Sequence, residues 1–205
     1  MPDFDQLIHQ SATAERQILE KDLAEKRSFS DHFALAVTTF GVGYLPLAPG
    51  TWGSMVGVGI YLLFGLAEEK ALAGLGPKGW SEPQVEAWVH AANLIVFLLF
   101  CLLGVWAANR ATRLFKNKDP QQAVVDEVIG QLIVFLFIPF GTEWYFVLAG
   151  FLLFRLFDIW KPWLVGLADA RGDADGVMID DLWAGLFAGI AVFAGGVLYH
   201  GVFLL

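Results

Sequence analysis

The run Val89-His-Ala-Ala-Asn-Leu-Ile-Val-Phe-Leu-Leu-Phe-Cys-Leu-Leu-Gly-Val-Trp-Ala-Ala108 carries no Asp, Glu, Lys or Arg. As a helix it reaches about 30 Å, the thickness of the hydrocarbon core of a bilayer. A segment of that length and polarity predicts a membrane-crossing helix. Outward from it, four more apolar segments lie at about 52–67, 128–141, 144–157 and 183–205. The last is also long enough to cross. The first is cut off from the apolar Phe33–Phe40 stretch by the Gly- and Pro-rich residues 41–50, which break any continuous helix. The third and fourth are short, separated only by Gly141, Thr142 and Glu143, and read as a tight helical hairpin, with a full crossing and a partial one both open. The fold class expected is all-α: a polytopic integral membrane bundle of about four to five apolar helices, in a single domain spanning 1–205.

Composition agrees. Hydrophobic residues make up 57% of the 205-residue chain, and the mean hydropathy of +0.58 lies outside the usual soluble range. A formal charge of −8 argues against a nucleic-acid partner, which needs a basic surface. Cys101 is the single cysteine, so no disulfide forms within the chain, and it reads as a small buried hydrophobe. His9, His32, His90 and His200 are scattered without zinc-ligand spacing. Residues 1–31 are polar, with Phe4, Leu7, Ile8, Ile18, Leu19 and Leu23 roughly at helical spacing; they read as an amphipathic extension, not a signal peptide.

Basic residues set the orientation. Arg110, Arg113, Lys116 and Lys118 follow the second apolar segment, and Arg155, Lys161 and Arg171 follow the hairpin. Placing them in the cytoplasm leaves the 68–88 connection outside, with only Lys70 and Lys78. Every conspicuous polar motif then falls on the cytoplasmic face.

Those motifs contain adjacent carboxylates at the mouths of two apolar runs, Asp126-Glu127 and Asp180-Asp181. Like charges side by side repel, and near hydrocarbon they lose hydration as well. A divalent cation held by oxygen ligands is the economical neutraliser. Four segments carry the candidate chemistry. Gly41-Val-Gly-Tyr-Leu-Pro-Leu-Ala-Pro-Gly-Thr-Trp-Gly-Ser54 is a loop opening into a helix, where Thr51 or Ser54 is placed to cap and the helix start to receive phosphate. Its alternative is a plain turn before a glycine-packed helix. Asp119-Pro120 through Val124-Val-Asp-Glu-Val-Ile-Gly130 puts Glu127 and Gly130 on one helical face, with Asp126 about 100° away. Phe154-Arg-Leu-Phe-Asp-Ile-Trp-Lys-Pro162 sets Arg155 and Asp158 at i, i+3, either as a phosphate and metal site or as an ordinary ion pair. In Asp169-Ala-Arg-Gly-Asp-Ala-Asp-Gly-Val-Met-Ile-Asp-Asp-Leu-Trp-Ala-Gly185, an EF-hand is ruled out because its first and twelfth positions would be Arg171 and Leu182.

Taken together and in this order, the four segments resemble the phosphatidylglycerophosphatase A family of bacterial membrane enzymes. The matching pieces are Gly-Tyr-x-Pro-x-Ala-Pro-Gly-Thr-Trp-Gly-Ser at 43–54, Asp-Pro…Val-Val-x-Asp-Glu-x-x-Gly at 119–130, Phe-Arg-x-x-Asp-x-x-Lys-Pro at 154–162 and Gly-Val-Met-x-Asp-Asp-x-x-Ala-Gly at 176–185. Leu164 stands where the family often has a second proline, and Asp173-Ala174 where it commonly has paired glycines. The resemblance implies a magnesium-dependent hydrolase that converts phosphatidylglycerophosphate to phosphatidylglycerol and inorganic phosphate. It would work in the bacterial cytoplasmic (inner) membrane with its site facing the cytoplasm. Asp126, Glu127, Asp158, Asp180 and Asp181 are the expected Mg2+-binding and catalytic set, and Thr51, Arg155 and Lys161 the expected phosphate binders. Asp169 matches an acidic position of the family. Direct attack by water is the simplest mechanism, with a phosphoaspartyl intermediate as the alternative. A CDP-alcohol phosphotransferase would instead concentrate its acids in one Asp-rich signature. A divalent-cation transporter would more often show internal repeats and mid-bilayer carboxylates.

Overall fold

The computed structural model describes residues 27–75, 78–115, 120–169 and 174–203. These residues form seven α-helices and no strand: α1 (Phe29–Thr39), α2 (Pro49–Leu75), α3 (Glu82–Phe115), α4 (Val125–Phe135), α5 (Trp144–Trp160), α6 (Leu164–Asp169) and α7 (Ala174–Phe203). A 3-10 turn covers Val42–Tyr44. The fold is therefore all-helical. Most of the extension expected at 1–31 lies outside the described residues. Its last four residues, Ser28–Asp31, belong instead to the start of α1, where Ser28 and Asp31 form a reciprocal capping box.

Among the described residues, three stretches are long and apolar enough to cross a membrane, Pro49–Leu75, Glu82–Phe115 and Met178–Tyr199. The first was expected to be short and to follow a loop reaching Ser54. The helix begins earlier, because Pro49 occupies the first helical position, where a missing N–H costs nothing. Leu47 and Ala48 turn the chain into it with left-handed φ values of 66° and 50°. Neither Thr51 nor Ser54 acts as the expected cap. Ser54 lies within the helix and its hydroxyl donates to the Gly50 carbonyl at 2.9 Å.

The hairpin at the centre differs from its neighbours. The apolar segment at 128–141 is helical only to Phe135; Pro139, which lacks an N–H and disfavours helix at the residue before it, accounts for the stop. At 11 residues, α4 rises about 16 Å, roughly half of the hydrocarbon core. Its end is held by Tyr61 of α2, whose hydroxyl donates to the Pro139 carbonyl at 2.9 Å and whose ring stacks on Phe135 and Phe140.

Around α4 the bundle closes on glycines. An added Cβ at Gly57 of α2 would stand 2.9 Å from Gln131 Cβ, and one at Gly104 of α3 would stand 2.7 Å from Ile129 Cδ1. On the other side, α4 and α7 touch backbone to backbone: a Cβ on Gly185 would collide with the Gly130 carbonyl, and one on Gly130 would stand 2.8 Å from the Asp181 carbonyl. Val125, Val128, Ile129, Leu132, Val134 and Phe135 are all buried. By contrast, α3 exposes Leu94, Ile95, Leu98, Leu99 and Leu102, as a lipid-facing helix does. At the end of α3, Arg110 Nε pairs with Asp31 Oδ1 at 2.6 Å and ties α1 to the bundle.

Candidate active site

One end of the bundle collects the acids. Asp126 and Glu127 occupy the first turn of α4, Asp158 the last turn of α5, and Asp180 and Asp181 the second turn of α7. The Gly130–Gly185 crossing sets their spacing, because it brings the α4 and α7 backbones together one turn below the carboxylates. Asp126, Asp180 and Asp181 are buried. A recess of about 340 Å³ is lined by Pro49, Gly50, Asp126, Glu127, Asp158, Lys161, Asp180 and Asp181, together with Gln121 and Ala123.

The five carboxylates face two basic side chains, Arg155 and Lys161. Arg155 Nη1 pairs with Asp158 Oδ2 at 2.6 Å. Lys161 Nζ donates to Asp180 Oδ2 at 2.7 Å. The remaining three acids converge: Asp126, Glu127 and Asp181 each bring one oxygen to within 4.8 Å of the others. Glu127 Oε2 and Asp181 Oδ1 are buried without a hydrogen-bond partner. Buried anionic oxygens left in that condition are costly, and hard oxygen donors at this spacing suit a small divalent cation. The residues present therefore fit a metal ion.

The backbone around the recess is strained. Leu47 and Ala48 precede α2, and Lys161 (φ 50°) and Trp163 (φ 44°) follow α5, all left-handed without being glycine. Such conformations cost of order 1–3 kcal/mol each and persist where packing over-determines them. The Lys161 turn is the reason its ammonium reaches back to Asp180 rather than continuing along α5.

The structure thus brings together Asp126, Glu127, Asp158, Asp180, Asp181, Arg155 and Lys161. Thr51 is the exception. It stands half-buried in the first turn of α2, and the recess is lined by its neighbours Pro49 and Gly50. The side chain of Asp169, together with Asp119, Arg171 and Asp173, lies outside the described part. Two residues here were not singled out by sequence. Gly50 is pressed against the carboxylate of Glu127, and a Cβ on it would stand 2.9 Å from Arg155 Nη1. Gln131, one turn below Glu127, is fully buried with neither amide atom hydrogen-bonded. Its signal in the sequence is one polar residue in an apolar run, four positions after an acid.

The family model described as phosphatidylglycerophosphatase A matches residues 35–195. A protein of Escherichia coli named phosphatidylglycerophosphatase A is 32% identical over 178 residues, covering 85% of this chain and 91% of its own length. Its namesake from Haemophilus influenzae is 34% identical over 179 residues, covering 85% and 95%. A protein of Bacteroides thetaiotaomicron, named "Putative phosphatidylinositol-3-phosphatase", is 36% identical over 157 residues, covering 76% and 87%. No solved structure matches.

Proposed function

The chain belongs to the phosphatidylglycerophosphatase A family, and on that premise we propose that it hydrolyses the phosphomonoester of phosphatidylglycerophosphate, releasing inorganic phosphate and leaving phosphatidylglycerol. The observation that carries this reading is the convergence of Asp126, Glu127 and Asp181 beside the Arg155–Asp158 and Lys161–Asp180 pairs. A phosphomonoester adds anionic oxygens to a site that is already acidic, so added positive charge is the first requirement of the chemistry. Asp126, Glu127 and Asp181 would hold Mg2+, with Asp158 and Asp180 around it. When bound, the ion would supply charge neutralisation for the phosphoryl oxygens and lower the pKa of an attacking water.

The chain's own groups do the rest. Arg155 and Lys161 are held beside the acids by their carboxylate partners and exchange part of that pairing for phosphate oxygens. Gly50, with no side chain, lets the phosphate approach the guanidinium of Arg155. A carboxylate of the cluster takes the proton of the attacking water and returns one to the departing headgroup oxygen. Because the recess lies at helix ends, it meets the headgroup plane while the lipid stays in the bilayer. The reading puts the protein in the bacterial cytoplasmic membrane with this end toward the cytoplasm, where most of its Lys and Arg lie.

The relative from Bacteroides thetaiotaomicron is named for a phosphatase of a different lipid headgroup. That makes a phosphorylated inositol lipid the second substrate to assay. The test is phosphate release from each lipid in detergent micelles, with magnesium and with EDTA. Expected is metal-dependent release from phosphatidylglycerophosphate, lost by at least about 10²-fold in Asp181→Asn and Glu127→Gln. Absence of release from folded wild type would overturn the assignment.

A further inference from the structure

Below the acidic recess runs a second and much larger opening. A groove of about 1180 Å³ separates α2 from α5 and is floored by Phe140, Gly141 and Thr142. It exists because α4 ends at Phe135 and leaves the space beyond its last turn to that connection. The volume exceeds the roughly 300–1,000 Å³ of ordinary small-molecule pockets. Met55 and Leu62 on one wall and Leu148 on the other are each about half exposed, so the groove opens sideways to lipid.

Its placement relative to the site is specific. On α5 the lining residues Trp144, Val147, Leu148 and Phe151 follow i, i+3, i+4, i+7 spacing, and the next members of that face are Arg155 and Asp158. The α5 face that carries the guanidinium and a carboxylate of the site thus continues into the groove. On α2, a Cβ added to Gly50 would stand 2.9 Å from Arg155 Nη1, and Met55 begins the groove wall about 8 Å further along the axis. The walls stay apolar from Met55 to Leu66, about 16 Å of helix rise. Beyond that, Glu68, Glu69, Glu82 and Glu86 line the far end. The apolar length matches one leaflet, half of the roughly 30 Å hydrocarbon core.

We propose that this groove receives one acyl chain of the lipid substrate, entering from the membrane and running from beneath Arg155 toward Leu66, with the headgroup phosphate in the recess above. The inference rests on the phosphatase reading and adds to it that the enzyme measures its substrate by chain as well as by headgroup.

Gly59 provides the test. It lines the groove, and a Cβ added to it meets nothing within 4 Å, so a large side chain there fills the groove without disturbing the bundle. Gly59→Phe and Leu62→Trp would be assayed against dioleoyl and dihexanoyl phosphatidylglycerophosphate beside wild type. Expected is a KM for the dioleoyl lipid raised about tenfold or more, equivalent to two or more buried methylenes, with kcat retained. Kinetics with the dihexanoyl lipid should be unchanged. Equal effects on both lipids, or none, would overturn the proposal, as would a change of oligomeric state in detergent, which would make a second copy the occupant. Failure of wild type to release phosphate from either lipid would instead overturn the phosphatase reading.

Discussion

The two helices α3 and α4 are both strongly apolar, yet they meet different surroundings. Over 34 residues, α3 shows one side to lipid, with Leu98, Leu99 and Leu102 more than half exposed. Over 11 residues, α4 buries almost every side chain, between glycines of α2 and α3 and the backbone of α7. Lipid tails are as apolar as leucine, so the exposed face of α3 gains little from any particular side chain. In α4 the gain comes from close packing, which tolerates neither added nor lost volume. Asp126 and Glu127 sit on the helix whose position is fixed, not on the one that is merely long.

The sharpest way to break this contrast is steric. Gly185→Val drives a side chain into the Gly130 carbonyl and should cost about 3 kcal/mol or more, read as loss of folded protein in detergent by size exclusion. The same change at Gly195, where an added Cβ meets nothing within 4 Å, should be tolerated.

Next in size is an opposition between stability and activity. Without metal, Asp126, Glu127 and Asp181 repel one another, so Asp181→Asn should raise the Tm measured in EDTA by a few degrees while abolishing turnover. A lowered Tm in EDTA would mean that the aspartate supports the fold more than it strains it.

A smaller effect concerns the tie at the end of α3. Hydrogen bonds from the backbone and side chain of Ser28, and then Arg110, hold the Asp31 carboxyl down at about 2. A group depressed on folding stabilises above its unfolded value and loses that contribution as pH falls through the folded one. The Tm difference between wild type and Asp31→Asn should therefore be constant from neutral pH to about 4 and vanish toward pH 2. Smallest of all, Leu99→Ala on the lipid face of α3 should leave Tm and activity within error.

This contrast also explains what was legible in the sequence. The run 89–108 announces itself because length and polarity suffice for a helix in lipid. The carboxylate pairs are legible because charge beside an apolar run needs a reason, and the structure brings Asp126, Glu127 and Asp181 together. The full length of α2 was hidden by Pro49 and Gly50, which read as loop but occupy a helical first turn. The bonding of Tyr61 to the turn at Ile138 and Pro139 depends on contacts between residues 77 and 78 positions apart, which no local pattern carries. Thr51 was expected at the phosphate because helix starts favour anions. Which residue of such a start faces the recess is decided by the rotation of α2 against α4, and that follows from Gly53 and Gly57 packing on Val124 and Gln131.

The Gly130–Gly185 contact has a mechanical consequence. Long helices answer a thicker or thinner bilayer by tilting, at a cost of only fractions of a kcal/mol per Å of mismatch. Two helices joined backbone to backbone must tilt as one piece, so the gap between the α4 and α7 carboxylates stays the same when the surrounding membrane changes thickness. A catalyst whose reaction alters the composition of its own solvent would keep its geometry while that solvent changes around it.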